Sequence, residues 1–483
     1  MHKIRIKSFI HSLFFFPILF YGCGKTGAIK WLASTNDLRW YQESLEFSEA
    51  TGTTNVIGII ESQAGQVIDG FGACFNELGW DALSVLGTDS RDSVVSLFFG
   101  PESELKFTLG RVPIGANDYA MDWYSLNDSA GDFSMKYFTI SRDRERLIPY
   151  IKTALRYEPQ LRIWGSPWCP PVWMKNNGHY ACRMSEVNDL CCVQKEGKEG
   201  ITQFIMQPEY LGAYALYFSR FVQAYRAEGI PVYAVHVQNE PNSCQNFPSC
   251  IWKPSDLAIF IGRFLGPKFD ADQTGAEIWY GTIERPHIRN IDTVMEDDQA
   301  MKYIKGLGFQ WAGKEVIGRA NEKYPAIPLM ETESECGDGS NDWKAAEYTF
   351  GLIRHYLENG ANSYMYWNMV LDETGKSRWG WKQNSLITVD RASKKITFNP
   401  EFYLFKHFSY FIEPRAQRIV TRGNRKEVAA FKNPSGSVTV VIYNPMDTDD
   451  EVVVNTSMGN FKATMAPRSF NTFVYGIGNS NKF

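Results

Sequence analysis

Short, nearly continuous apolar runs recur along the chain, most of them closed by Gly, Pro or a polar residue. They are Val67–Phe71, Phe107–Val112, Leu161–Trp164, Val232–Val237, Glu277–Thr282, Leu307–Trp311, Ile327–Thr332 and Ser363–Asn368. Runs of this length without alternation fit strands buried on both faces. Between several of them the apolar positions recur at helical spacing: Leu147, Ile151 and Leu155; Tyr214, Phe218 and Val222; then Leu352, Ile353, Tyr356 and Leu357, a stripe ended by Gly360. Such stripes predict helices with one face on a core. Eight strands alternating with helices predict a (β/α)8 barrel over residues 66–411. A doubly wound sheet would call for a Gly-rich phosphate loop between a strand and a helix, and the chain has none.

Past residue 411 the rhythm shortens. Arg418–Thr421, Glu427–Lys432, Ser437–Tyr443, Glu451–Val454 and Ser469–Tyr475 are strand-like pieces separated by Gly, Asn, Pro and Asp. They predict an all-β sandwich over 412–483. Residues 41–65, which include Asn55-Val-Ile-Gly-Ile-Ile60, are expected to add strands to it. Residues 24–40 are polar and read as a tether. Before them, His2, Lys3, Arg5 and Lys7 precede an apolar run from Phe9 to Tyr21 broken by Pro17. That run is short for a spanning helix and suits a signal-peptide core. Phe20-Tyr-Gly-Cys23 resembles a bacterial lipobox, with Phe where Leu is usual. The mature protein is therefore expected to start at a lipidated Cys23, at a bacterial periplasmic face or cell surface, with that lipid as its only membrane contact; the alternative is an ordinary secretory signal with an incidental Cys, and a periplasmic or secreted protein.

Composition narrows the function classes. Hydrophobic residues at 44% exclude disorder, and a net charge of −4 leaves no broad basic face for nucleic acid. Fourteen Trp and 24 Tyr supply rings able to stack on sugar faces as well as fill a core. Cysteines number nine, eight of them after Cys23; in an exported chain that permits disulfides, with Cys182, Cys191, Cys192, Cys244 and Cys250 placed to staple two polar segments. No Cys-x-x-Cys or His-Glu-x-x-His is present among them or the seven histidines, so neither metal nor cofactor is expected.

The chemistry gathers where the predicted strands end. The fourth runs into Gln238-Asn-Glu-Pro241, an amide beside a carboxyl group at an abrupt stop, and the seventh into Glu331-Thr-Glu-Ser-Glu335. An Asn-Glu pair by itself is most often a solvated loop, but in a parallel barrel the C-terminal strand ends are where catalytic groups collect. The first strand leads into Asp69-Gly-Phe-Gly, the second into Arg111-Val-Pro, and the third into Ser166-Pro-Trp-Cys-Pro-Pro-Val-Trp173, a rigid aromatic turn. Two carboxyl groups facing one another across the mouth are what glycoside hydrolysis needs: one protonates the leaving oxygen and the other attacks the anomeric carbon.

These strings, with Thr332-Glu333, Trp367-Asn-Met, Ile387-Thr-Val-Asp390 and His407-Phe-Ser-x-Phe-Ile412, resemble glycoside hydrolase family 30 in order from about residue 65 to 475. The resemblance implies a barrel with a β-sandwich built from both chain ends. It also implies Glu240 as acid/base, Glu333 as nucleophile, Asn239 on the sugar 2-hydroxyl and Arg111 beside the nucleophile. Trp168 and Trp367 would line the glycone pocket, Glu77 would reach sugar hydroxyls, and Trp311 joins the substrate-binding set. Choosing Glu333 over Glu331 and Glu335 rests on the Thr-Glu step. One departure is visible: glucosylceramidases of the family carry His-Trp-Tyr where this chain has Gln310-Trp-Ala-Gly-Lys314. That string, with Glu335-Cys-Gly-Asp-Gly339, looks more like the β-1,6-glucanase subgroup. The expected substrate is a β-linked glucan, with ceramide glucoside as the alternative. A non-catalytic glycan-binding lipoprotein would be expected to lack one carboxylate, and both are present.

Overall fold

The computed structural model describes residues 29–45, 47, 55–191 and 195–476. The signal-peptide and lipobox expectations fall on the first 23 residues, outside that set. Among the described residues no helix is long and apolar enough to cross a membrane.

All eight runs become parallel strands of one closed barrel: β1 (Gly70–Cys74), β2 (Leu109–Pro113), β3 (Arg162–Ser166), β4 (Val232–His236), β5 (Glu277–Ile283), β6 (Ile304–Gln310), β7 (Leu329–Glu333) and β8 (Ala361–Asn368). β8 closes on β1, pairing Ser363 with Gly70 and Tyr364 with Phe71. The three helical stripes form Leu147–Tyr157, Pro208–Ala227 and Trp343–Glu358. The last is capped by Asp342, whose side chain accepts from Ala345 N–H at 2.9 Å. Inside the barrel Leu109, Trp164, Ala234, Trp279, Met330 and Met365 form a closed core. The His236 ring stacks between Trp164 at 4.1 Å and Trp279 at 5.2 Å. β6 passes beside that ring only because position 308 is glycine: a Cβ there would lie 2.7 Å from His236 Nδ1 and from Thr332 Cγ2.

The second module has nine strands hydrogen-bonded in the order 459–465, 450–456, 56–67, 417–423, 428–432, 438–444, 469–475, 29–34, 41–45. Strands near opposite ends of that order share one core, and Phe461 and Phe473 meet at 5.2 Å across it, so the sheet folds over itself into a sandwich. The tether reading of 24–40 needs correction. Ile29–Ser34 is an inner strand paired with both 41–45 and 469–475, and its apolar side chains sit in the sandwich core. The polar run Ser34 to Asp37, which favoured a linker, ends the strand and forms the turn after it. The strand at Gly459–Met465 was not among those expected: Phe461, Ala463 and Met465 do alternate with polar residues and sit in the sandwich core, but Phe461 alone of the three is a strong strand former.

The cysteine staples also need correction. Cys182, Cys244 and Cys250 carry free thiols, and Cys192 lies outside the described residues. A lysine does the joining instead. Buried Lys175 donates to the carbonyls of Tyr180 at 3.0 Å, Ala181 at 3.3 Å and Ser249 at 2.7 Å, tying the two segments through one ammonium group.

Barrel and sandwich are locked by His407 on the helix Pro400–Ser409. Thr472 Oγ1 donates to the His407 carbonyl and so accepts from Nδ1 at 2.8 Å; Nε2 accepts from Ser34 Oγ at 2.9 Å, which itself accepts from Trp40 N–H. Neutral imidazole, with Nδ1 donating and Nε2 accepting, fits this arrangement. Burial pushes its pKa down to about 3. With the folded pKa below the unfolded one, the stabilisation is complete above pH 6.5 and is lost as pH falls. Between pH 7.5 and 5 the wild type should lose about 2 kcal/mol more than His407→Gln. Urea unfolding at the two pH values checks this, and equal losses would refute the assignment.

Candidate active site

The C-terminal mouth of the barrel is organised by a guanidinium group. Arg111, on β2, is fully buried. Its Nη1 donates to Glu333 Oε2 at 2.7 Å, Nη2 to Asn239 Oδ1 at 2.7 Å, and Nε to Ser166 Oγ at 3.1 Å. Its plane lies 4.3 Å from the Trp168 ring. Residues from four strand ends are thereby held in one frame.

Glu240 reaches the mouth by a backbone device. After β4, Asn239 N–H donates to the Pro167 carbonyl at 2.8 Å, and Glu240 N–H donates to Thr282 Oγ1 at 3.2 Å. Between these anchors and Pro241, Glu240 takes φ of +46°, a left-handed conformation costing roughly 1–3 kcal/mol that the surrounding contacts must sustain. Thr282 in turn donates to Asn239 Oδ1 at 3.0 Å. The amide oxygen of Asn239 is thus occupied on the protein side, which leaves its NH2 group for the cavity.

Gln310, at the end of β6, joins the two carboxyl groups. Its Nε2 lies 3.3 Å from Glu240 Oε1, from Glu333 Oε2 and from Asn239 Oδ1, while its Oε1 accepts from Thr332 Oγ1 at 3.0 Å. One nitrogen within reach of both carboxylates sets a short separation between them. The other two acids of the β7 run are committed elsewhere. Glu331 is buried behind the mouth, accepting from Glu333 N–H and Met365 N–H, each at 2.9 Å. Glu335 accepts from Lys314 and from Tyr348 Oη.

These groups open on a cavity of 740 Å³, within the roughly 300–1,000 Å³ range of ligand sites. Asp118, Trp168, Asn239, Glu240, Trp311 and Glu333 line it. Trp311 is 37% exposed at the rim, whereas Trp367 is buried behind Trp168 with ring centroids 5.4 Å apart and supports the wall. A second cavity of 390 Å³, by Lys106, Thr108 and Phe411, shares no lining residue with this one.

Glu77 stands apart from these groups. It does not line the cavity; its carboxylate accepts from Met121 N–H at 2.7 Å and from two Arg142 nitrogens at 3.0 Å, so it clamps a loop beneath the mouth. Three groups had no role in the sequence reading: Gln310, which bridges the two carboxyls, and Asp118 and Glu284, which line the cavity. Asp118 follows β2 by a few residues and Glu284 follows β5 directly, so inspecting every carboxyl just beyond a strand end would have found both. No comparable signal marks an amide such as Gln310.

Burial raises the pKa of Asp118, Glu240, Glu284, Glu331 and Glu333. Glu333 is pushed up to about 7, with Arg111 opposing and Glu240 adding to the rise. Glu240 is raised by burial with no contacting cation, only the Gln310 and Gln245 amides. Glu284, accepting from Asn242 N–H and Ser243 Oγ, goes up to about 8 through burial and the nearby Glu240. Among the described residues no cluster could hold a metal ion.

A parallel barrel whose mouth carries two buried carboxyls, one of them bound to a guanidinium, has the layout of a glycoside hydrolase. The glycosyl hydrolase family 30 TIM-barrel domain matches residues 68–412 and the β-sandwich domain of the same family matches 416–473; the chain belongs to this family. It is 29% identical to a putative glucosylceramidase of Caenorhabditis elegans, covering 88% of this chain and 84% of that protein. It is 27% identical to an endo-1,6-β-D-glucanase of Aspergillus fumigatus, with 85% of each covered. Among solved structures, SrfJ from Salmonella typhimurium superposes with a TM-score of 0.83 at 23% identity, over 92% of this chain and 99% of that one. An endo-β-1,6-glucanase superposes with 0.79 at 23%, over 94% and 100%. At those identities the two structures speak for the fold alone.

Glu77→Gln should lower the unfolding free energy by about 1–3 kcal/mol, the worth of a buried charge-assisted contact. Denaturant unfolding measures it. A raised KM with unchanged stability would return Glu77 to the substrate.

Proposed function

We propose that the chain is a retaining β-glycosidase that cleaves β-glucosidic bonds through a glycosyl-enzyme intermediate, with β-1,6-glucan or a related β-glucan as substrate. One observation carries the mechanism: Glu240 and Glu333 share the Gln310 amide, but only Glu333 contacts Arg111. The guanidinium favours the ionised form of Glu333, so the proton of the pair stays on Glu240. Glu333 then attacks the anomeric carbon as Glu240 gives its proton to the leaving oxygen. Afterwards Glu240, now ionised, takes a proton from the water that releases the sugar. A bridging amide supports the spacing of about 5–5.5 Å that direct attack requires. Asn239 keeps its NH2 for the sugar 2-hydroxyl.

Two features support a glucan. The cavity rim carries Arg183, Gln245, Asn246, Arg285, Lys314 and Lys382, polar groups suited to a hydroxylated leaving group rather than to acyl chains. Ala312 lines the cavity where glucosylceramidases of the family carry a tyrosine beside the nucleophile, and the smaller side chain leaves more room there.

The test uses β-1,6-glucan, gentiobiose, an aryl β-glucoside and ceramide glucoside, each with wild type, Glu240→Gln and Glu333→Gln. Glu240→Gln should cut kcat on glucan by about 10²–10⁴-fold, and Glu333→Gln should abolish turnover. NMR of fresh product should show the β-anomer first; an α-anomer first would overturn retention. Ceramide glucoside cleaved in preference to glucan would overturn the substrate. Because Glu240 acts in its protonated form, wild-type activity should fall as pH rises through its raised pKa, and an aryl glucoside whose leaving group needs no proton should lose that alkaline limb in Glu240→Gln.

A further inference from the structure

We propose that Trp381 and Phe247 form an aromatic platform at the cavity mouth that binds a second sugar ring of the substrate, so that the site takes an oligosaccharide chain and not a lone glycoside. The inference rests on the glycosidase reading above and deepens it. Both residues line the cavity that holds Glu240 and Glu333, both are half-buried, and their rings lie 4.8 Å apart. They come from loops after two different strands, β4 and β8, so their meeting is a tertiary arrangement and not a local turn.

The loop carrying Trp381 is built to hold that ring in place. Ser377 N–H donates to the Trp381 carbonyl at 2.8 Å, and Gln383 N–H donates to the Gly375 carbonyl at 3.0 Å, closing a short hairpin. Trp379 points into the protein, buried 4.8 Å from Trp123. Gly380, at φ of +103°, then reverses the chain so that the next aromatic residue reaches the cavity. One tryptophan anchors the loop and the other is presented. A buried core needs no such pairing of an anchor with a half-exposed ring, and a large ring left beside water at the cavity, as Trp311 also is, marks a surface suited to a ligand.

The chemistry that fits is a pyranose. Its axial C–H bonds form an apolar face that packs on the electron-rich face of indole, while its equatorial hydroxyls point sideways. Lys382 and Gln383 follow Trp381 in the chain, and Gln245 and Asn246 precede Phe247; all four line the same cavity and place donors and acceptors around such a ring. The platform is thus a sugar site with a stacking floor and a polar edge.

The measurement is kcat/KM on linear β-1,6-linked glucose oligomers of two, three and four units against an aryl β-glucoside, for wild type, Trp381→Ala, Trp381→Phe and Phe247→Ala. In the wild type kcat/KM should rise with chain length. The ratio of tetramer to aryl glucoside should fall about tenfold in Trp381→Ala and Phe247→Ala, and recover in Trp381→Phe, which keeps a ring and separates lost stacking from a damaged loop. An unchanged ratio, or a parallel fall on both substrates that Trp381→Phe does not reverse, overturns the platform. If the wild type hydrolyses neither substrate, the glycosidase reading fails by itself. The platform is then judged by calorimetric titration of the tetramer: about tenfold weaker binding to Trp381→Ala supports it, and equal binding removes it.

Discussion

The buried guanidinium of Arg111 is the constraint on which the site depends. A charge with no exposure to water is tolerable only when its donors are matched, and here they go to Glu333, Asn239 and Ser166, with Trp168 stacked on its face. The residue that would carry the nucleophile, the one beside the acid and the turn after β3 are thus tied to a single rigid group. The barrel supplies the strand ends; Arg111 decides how they face one another. Its stacking on Trp168 also explains why that tryptophan is almost wholly buried although it lines the cavity.

Much of this could be read from the chain because strands buried on both faces are nearly continuous apolar runs, and each run stops where its chemistry starts. β4 and β7 illustrate it: Val232–Val237 and Ile327–Thr332 were expected and Val232–His236 and Leu329–Glu333 formed, ending beside Glu240 and at Glu333. The expected ends of β1 lay three residues early, since Ile68 is apolar but pairs outside the barrel, its backbone engaging Arg415 and Ala416. The tether misreading has the opposite cause. Ile29–Ser34 is short and followed by a polar turn, and only its partners at 469–475 and 41–45 turn it into core.

Side-chain duties were less legible than backbone. Glu77 and Glu240 are both glutamates just past a strand, and nothing in their neighbours announces that Arg142 will saturate the first. Likewise the cysteine pattern was compatible with staples, but the ammonium of Lys175, more than sixty residues from Cys244 in the chain, makes the joint by reaching three carbonyls. Both outcomes depend on which distant partner arrives, and that is settled by packing and not by local sequence.

The charge balance of the cavity bears on catalysis more directly than any single contact. Asp118, Glu240, Glu284 and Glu333 all line it; Arg183, Arg285, Lys314 and Lys382 line it too, but Arg285 is paired with Glu199 and Lys314 with Glu335, and the cation that contacts one of the four acids is Arg111, on Glu333. Burial drives each of the four carboxyls toward its protonated form. Protons must then stay where cations are absent. Glu333 has the guanidinium at 2.7 Å; Glu240 has only amides. In a cluster where desolvation favours the protonated form of every carboxyl, the guanidinium contact is what distinguishes the two glutamates, favouring the ionised form of Glu333 and not that of Glu240, and the proposed division into nucleophile and acid rests on that contact.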